Sequence, residues 1–198
     1  MDWIVGNVAV GSWEDASPAN QSLLKSERVD AILNVRSDEN KVSIKEANDR
    51  EEEYCSSNNI RYCHIPLNDC TVATDDQLAT GVAFIDLNAK SERKVLVHCG
   101  AGMGRSPSFV AAYLLFSKEC KDAKSAIELI QKRRPGCFED CDDIHTPRII
   151  EFERKLPAKR AQTASARACP RCGNLLDEAE FDNEMPADGL PEDERTSS

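Results

Sequence analysis

The chain has 198 residues, 40% hydrophobic and 30% charged, with a formal net charge of −10. That size accommodates one domain of roughly 150 residues and an appendage rather than two full domains. No apolar stretch approaches the roughly 20 residues of a membrane span, and Met1-Asp2-Trp3 lacks the basic and apolar regions of a signal peptide, so a soluble protein of the cytosol or nucleus is expected. The charge is unevenly placed. Residues 177–198 carry nine acids against Arg195, a net of −8, which leaves −2 for everything before them. No large basic face for nucleic acid is expected. Nine cysteines form an odd set with no export signal, which favours reduced thiols over a disulfide framework.

Residues 3–11 hold short β-prone pieces punctuated by Gly6, Asn7 and Gly11, followed by a polar, partly helical segment. VDAILNV (29–35) is a short, β-rich apolar run and predicts a buried strand. Residues 41–56 are charged, with Val42, Ile44 and Ala47 as apolar positions, and predict a surface helix of modest amphipathicity. IRYCHIP (60–66) alternates and predicts the next strand, closed by proline. Thr74 and Gln77 form the two ends of a capping box, so a helix begins there and carries Leu78, Gly81, Val82 and Ile85 on one face. Lys94–His98 predicts another strand. Behind it, Phe109, Ala112, Tyr113 and Phe116 recur at helical spacing, as do Ala123, Ala126, Ile127 and Ile130 before Arg134-Pro135-Gly136 ends that helix. A last helix is expected over about 146–156, with residues 157–198 a largely disordered tail. Strands alternating with helices give an α/β fold with a central, mostly parallel sheet, and ligands bind beyond the carboxyl ends of such strands.

The segment HCGAGMGRSP (98–107) lies at such an end. A nucleotide-binding P-loop needs Gly-Lys-Ser/Thr where this chain has Gly104-Arg105-Ser106. A dinucleotide fingerprint needs a spacing that Gly100, Gly102 and Gly104 lack. The third reading makes Cys99 a nucleophile, because a thiol facing a helix N-terminus, loop amides and a guanidinium is favoured as thiolate. Amides of Gly100, Ala101, Gly102, Met103 and Gly104 would cradle phosphoryl oxygens, and Arg105 would hold two of them in a fork. Ser106 would hydrogen-bond the sulfur or assist its departure. Phosphoryl transfer also needs an acid on a neighbouring loop. Asp69 in HIPLNDC is favoured over Asp75 and Asp76, which sit in the helix cap.

HCGAGMGRS resembles the HCxxGxxRS signature of the cysteine-dependent protein tyrosine phosphatases, and AGMGRSPSFVAAYL is similar to their dual-specificity branch. The resemblance runs over about residues 3–156, through VGNVAVGSWEDA, VDAILNV, YCHIPLND and IQKRRP in the family's order. It implies a metal-free phosphatase domain over 1–156 working through a phosphocysteine. Cys99 would be the nucleophile, Arg105 the phosphate binder, Asp69 acid and then base, and Ser106 an assistant, with His98 tuning the cysteine. No cofactor is expected. Phosphorylated proteins are the expected partners. Gly104 replaces the serine common in kinase-directed members, and Gly-x-Gly-Arg loops also occur in phosphatases of phosphoinositides and phosphorylated glucans, so those substrates stay open. A phosphate-binding scaffold without turnover is a further alternative. After IQKRRP, Gly136-Cys137-Phe138-Glu139-Asp140 departs from the family's Pro-Asn-x-Gly-Phe.

Cys70, beside the expected acid, is read as a plain loop thiol, with a disulfide to an oxidised Cys99 as the sharper alternative. Cys169 and Cys172 supply half of a structural zinc site, which Cys137 and Cys141 or a second chain would have to complete, so no metal is assigned. His64 is read as a strand residue, and His145 has no partner that marks it.

Overall fold

A computed structural model describes residues 1–38, 42–139 and 142–163. Five strands form one sheet: β1 (Asp2–Val5), β2 (Val8–Gly11), β3 (Ala31–Asn34), β4 (Arg61–His64) and β5 (Val95–His98). Their order is β1-β2-β5-β3-β4, and only β1 runs antiparallel to its neighbour. The expected mostly parallel sheet is therefore present. Parallel strands need long crossovers, and helices supply them.

The strands are apolar because both faces of the sheet are covered. Val8, Val10, Ala31, Leu33, Val95 and Val97 belong to one buried cluster, which includes Phe109, Leu114, Ile130, Ile149 and Phe152. Their alternates Ala9, Ile32 and Leu96 join the other, with Leu24, Tyr54 and Cys55. Each fully buried Leu, Ile or Phe contributes about 1.5–3 kcal/mol. The first face is covered by α4 (Asp75–Lys90), α5 (Arg105–Ser117), α6 (Ala123–Arg133) and α7 (Asp142–Thr163). The second is covered by α1 (Trp13–Ala16), α2 (Gln21–Glu27) and α3 (Val42–Ser57). The Thr74–Gln77 capping box forms as expected and opens α4.

Two expectations need correction. α3 is an amphipathic surface helix, but its buried face is not the expected set of Val42, Ile44 and Ala47: Ala47, Asn48, Glu51, Tyr54 and Cys55 are buried against the sheet, while Val42 is 77% exposed. The charges that suggested a solvated helix conceal a buried stripe at i, i+4 and i+7–8. The last helix begins at Asp142 and passes Pro157 to Thr163. Ile149, Phe152 and Leu156 bury its middle, and packing outweighs the amide hydrogen bonds that Pro147 and Pro157 forgo. Residues 164–198, with Cys169 and Cys172, lie outside the described residues, as does Cys141. Among the described residues no helix is long and apolar enough to cross a membrane.

The sheet aligns four strand ends. In register, Gly11, Asn34 and His98 are neighbours, and Asn34 also pairs with His64. Whatever follows β2, β3, β4 and β5 therefore meets at one edge.

Candidate active site

Cys99 leaves β5 and is 2% exposed. Gly102 N–H donates to its Sγ at 3.3 Å, and Ser106 Oγ–H lies within 3.4 Å of the same sulfur and of Gly11 O. Both donors reach the sulfur because the loop turns at Gly102, whose φ of +75° is a left-handed conformation that favours glycine. An added Cβ there would stand 2.4 Å from Gly11 O.

Each carbonyl from Gly100 to Gly104 faces a donor from outside the loop's interior, and the Cys99 carbonyl faces the His98 ring. His98 Nδ1 faces Cys99 O (3.2 Å), and Trp13 N–H donates to Gly100 O (2.8 Å). Arg134 donates through Nη2 to Ala101 O (3.1 Å) and through Nε to Gly102 O (2.9 Å), where Cys137 Sγ also approaches (3.6 Å). Phe138 N–H donates to Met103 O (2.8 Å), and Ser108 Oγ–H to Gly104 O (2.8 Å). Carbonyls anchored outward leave amides free to turn inward, the geometry of an anion-binding nest. α5 adds its own N-terminus. Gly104 caps it without a side chain, and Pro107 at its third position gives up only an N–H that would have had no helical partner. The helix end therefore offers donors and a positive dipole to the space before Cys99.

Arg105 is 8% exposed. Its Nη1 donates to Leu67 O at 2.9 Å and its Nη2 pairs with Asp69 Oδ1 at 2.8 Å. The residues expected to bind phosphate and to supply the proton thus meet. The Asp69 side chain is 84% exposed, so the carboxylate half of the pair stays hydrated and is readily exchanged for another anion. Cys70 is exposed, with a left-handed φ of +53°. The described cysteines Cys55, Cys63, Cys70, Cys99, Cys120 and Cys137 are all free. Burial pushes the Cys137 thiol up to about 11, with Arg134 pulling the other way.

Sequence reasoning missed several residues here. Arg134, quoted only as part of a helix end, grips two loop carbonyls and is held by Asp2 at 2.5 Å. His145 is not a residue without partners. It is buried, shares a hydrogen bond between Nδ1 and Ser108 Oγ (3.1 Å), and puts Nε2 where a Cβ on Gly104 would be 2.5 Å away. The serine of kinase-directed members would collide with it, so the Gly104 departure and His145 belong together. Beneath the nucleophile, His98 Nε2 lies 2.8 Å from Glu51 Oε1, both side chains fully buried. Glu51 Oε2 accepts from Asn34 Nδ2 (2.7 Å) and Tyr62 OH (3.4 Å). The spacing of Ala47, Glu51, Tyr54 and Cys55 was the available signal. Removing one partner from a buried pair costs about 3–5 kcal/mol. Glu51→Ala is therefore expected to lower unfolding stability by about that much in urea titration; a loss below about 1 kcal/mol would show that the contact is idle.

Comparison with known proteins agrees with this geometry. The family model described as "Dual specificity phosphatase, catalytic domain" matches residues 8–155. Dual specificity protein phosphatase 5 of Rattus norvegicus is 37% identical over 86 residues, 43% of this chain and 22% of that relative. The chain thus spans under a quarter of the length of that relative. Among solved structures, Tk-PTP in the active form is 26% identical with a TM-score of 0.56, covering 79% of this chain and 95% of its own. PTPMT1, at 22% identity, shares the fold with a TM-score of 0.62, covering 81% of this chain and 98% of its own.

Proposed function

Because this chain belongs to the dual specificity phosphatase catalytic-domain family, we propose that it hydrolyses phosphate monoesters of tyrosine and of serine or threonine in proteins. The observation that carries the reading is the Cys99 loop, its carbonyls anchored outward, opposite an Arg105–Asp69 pair. Cys99 Sγ attacks phosphorus in line, and the bond to the leaving oxygen breaks as Asp69 delivers a proton to that oxygen. Arg105 and the amides of Gly100 to Gly104 bear the charge of the transferring phosphoryl group. Ser106 stabilises the sulfur as it leaves again. Water then attacks the phosphocysteine, Asp69 takes its proton, and inorganic phosphate departs with the thiolate restored.

The incoming phosphate displaces Asp69 from Arg105, which frees the carboxyl for the leaving oxygen. A thiolate nucleophile requires a reducing compartment, which favours the cytosol or nucleus. We take residues 1–156 as the catalytic unit, with 157–198 as an appendage. His98, with Glu51 behind it, holds the nucleophile in place rather than transferring protons.

The test is phosphate release from phosphotyrosine and phosphothreonine peptides, phosphoinositide vesicles and phosphorylated glucan. Turnover on both peptides that falls about 100-fold in Asp69→Ala is expected. Turnover confined to lipid or glucan would replace the protein-substrate reading, and tight binding without turnover would make the chain a phosphate-reading scaffold.

A further inference from the structure

Three of the arginines around the strand ends have carboxylate partners: Arg105 has Asp69, Arg134 has Asp2, and Arg148 has Asp75 and Glu151. Arg36 does not. Among the described residues its guanidinium makes no ion pair, and Nη1 is buried with no hydrogen-bond partner. It is held instead by stacking, with Cζ 4.2 Å from the centroid of the Trp13 ring. Leaving a buried donor unmade is costly, and the cation–π contact offsets that cost only in part.

The place of Arg36 is fixed by the sheet. Val35 N–H donates to His98 O at 2.8 Å, extending the β3–β5 pairing past the strands. Arg36 therefore stands beside the start of the Cys99 loop, while Trp13 N–H holds Gly100 O from the other side. The Arg36 backbone N–H is itself pinned by Asn34 Oδ1 at 2.8 Å. Burial lowers the pKa of Arg36 and Arg105 adds to the lowering, while Glu51 and Glu14 draw it back up without forming an ion pair with it. The two guanidiniums thus repel one another across the edge of the site, a cost that an anion shared with the substrate would relieve.

We infer that Arg36 is a specificity residue that receives a second negative charge on the substrate, an acidic side chain next to the phosphorylated residue of a peptide. The inference rests on the protein-phosphatase reading above. Neighbouring strands lie about 4.8 Å apart and successive peptide Cα atoms about 3.8 Å, so a chain crossing the cleft brings an adjacent residue over β3 when its phosphate is over β5. A sugar or inositol ring would want the aromatic face of Trp13, and the guanidinium covers it.

The test compares kcat/KM for two phosphotyrosine peptides that are identical except for glutamate or alanine on both sides of the phosphorylated residue. Wild type is expected to favour the acidic peptide about 10-fold, and Arg36→Ala to bring the ratio to about one. Arg36→Lys keeps an intermediate ratio, and added salt shrinks the wild-type preference, a readout that survives if the alanine variant folds poorly. Turnover of both peptides by wild type with a ratio near one, or an Arg36→Ala loss equal on both, overturns the inference and leaves the protein-phosphatase reading standing. No turnover of either peptide, with phosphoinositide vesicles hydrolysed, overturns both.

Discussion

Cys99→Ser is expected to lower phosphate release by at least about 10⁴-fold on every substrate the wild type accepts. The hydroxyl occupies the same position, but an alcohol at neutral pH is a poor nucleophile, and the described hydrogen-bond partners of the sulfur, Gly102 N–H and Ser106 Oγ–H, are donors rather than bases. Ser106 is the nearest side-chain partner of the sulfur, and it is a donor. The loop's shape should survive the exchange. Its anchors are Trp13, Arg134, Phe138, Ser108 and His98, and none of them acts through the sulfur. Only the Gly102 N–H contact at 3.3 Å and the Ser106 Oγ–H contact at 3.4 Å change their acceptor. Affinity for phosphorylated ligand should therefore persist, and the loss should lie in kcat, measured as released phosphate under saturating substrate. Residual activity within 10-fold of wild type would mean that the reaction does not pass through Cys99.

Arg105→Lys comes next in size, at about 10³-fold in kcat/KM, equivalent to about 4 kcal/mol of transition-state stabilisation. The guanidinium does two things that an ammonium cannot do together. One nitrogen donates to the buried Leu67 carbonyl at 2.9 Å while the other already holds an anionic oxygen of Asp69 at 2.8 Å. A planar fork reaches both, whereas a lysine satisfies one and leaves the other. The Leu67 carbonyl belongs to the loop that carries Asp69, so losing its donor also loosens the acid. A drop of about 1 kcal/mol in folding stability is expected alongside the kinetic loss. An Arg105→Lys enzyme within 10-fold of wild type in kcat/KM would show that the phosphate is held by the loop amides alone.

The grouping of the candidate residues at one sheet edge was legible in the sequence. Cys99, Arg105 and Ser106 are fixed by one contiguous motif, and a strand-loop-helix leaves them few places to go. Asp69 was legible from the order of elements, because parallel strands bring successive carboxyl ends to one edge. The supporting residues were not. Arg134 reaches the loop from 32 residues away in sequence, and Glu51 reaches His98 from a helix whose surface charges resemble solvated ones. His145 depends on a void, the missing side chain of Gly104, and an absence of atoms leaves little trace in a pattern of residue types. Arg36 was unreadable for a related reason: its significance lies in the carboxylate it lacks. The ends of the last helix were misjudged because proline is a local signal, and here packing by Ile149, Phe152 and Leu156 decides the matter.

The central claim is that a phosphoryl group passes through the sulfur of Cys99. The most direct measurement is acid quenching of the enzyme during turnover of a phosphotyrosine peptide, followed by peptide mass spectrometry to locate any thiophosphate. Ser106→Ala, slowed in the departure of sulfur from the intermediate while Asp69 still drives its formation, is the form in which it should accumulate. A phosphorylated peptide containing Cys99, absent from Cys99→Ser, is the predicted result. Phosphate release proceeding at the wild-type rate with no phosphate ever found on Cys99 would contradict the account.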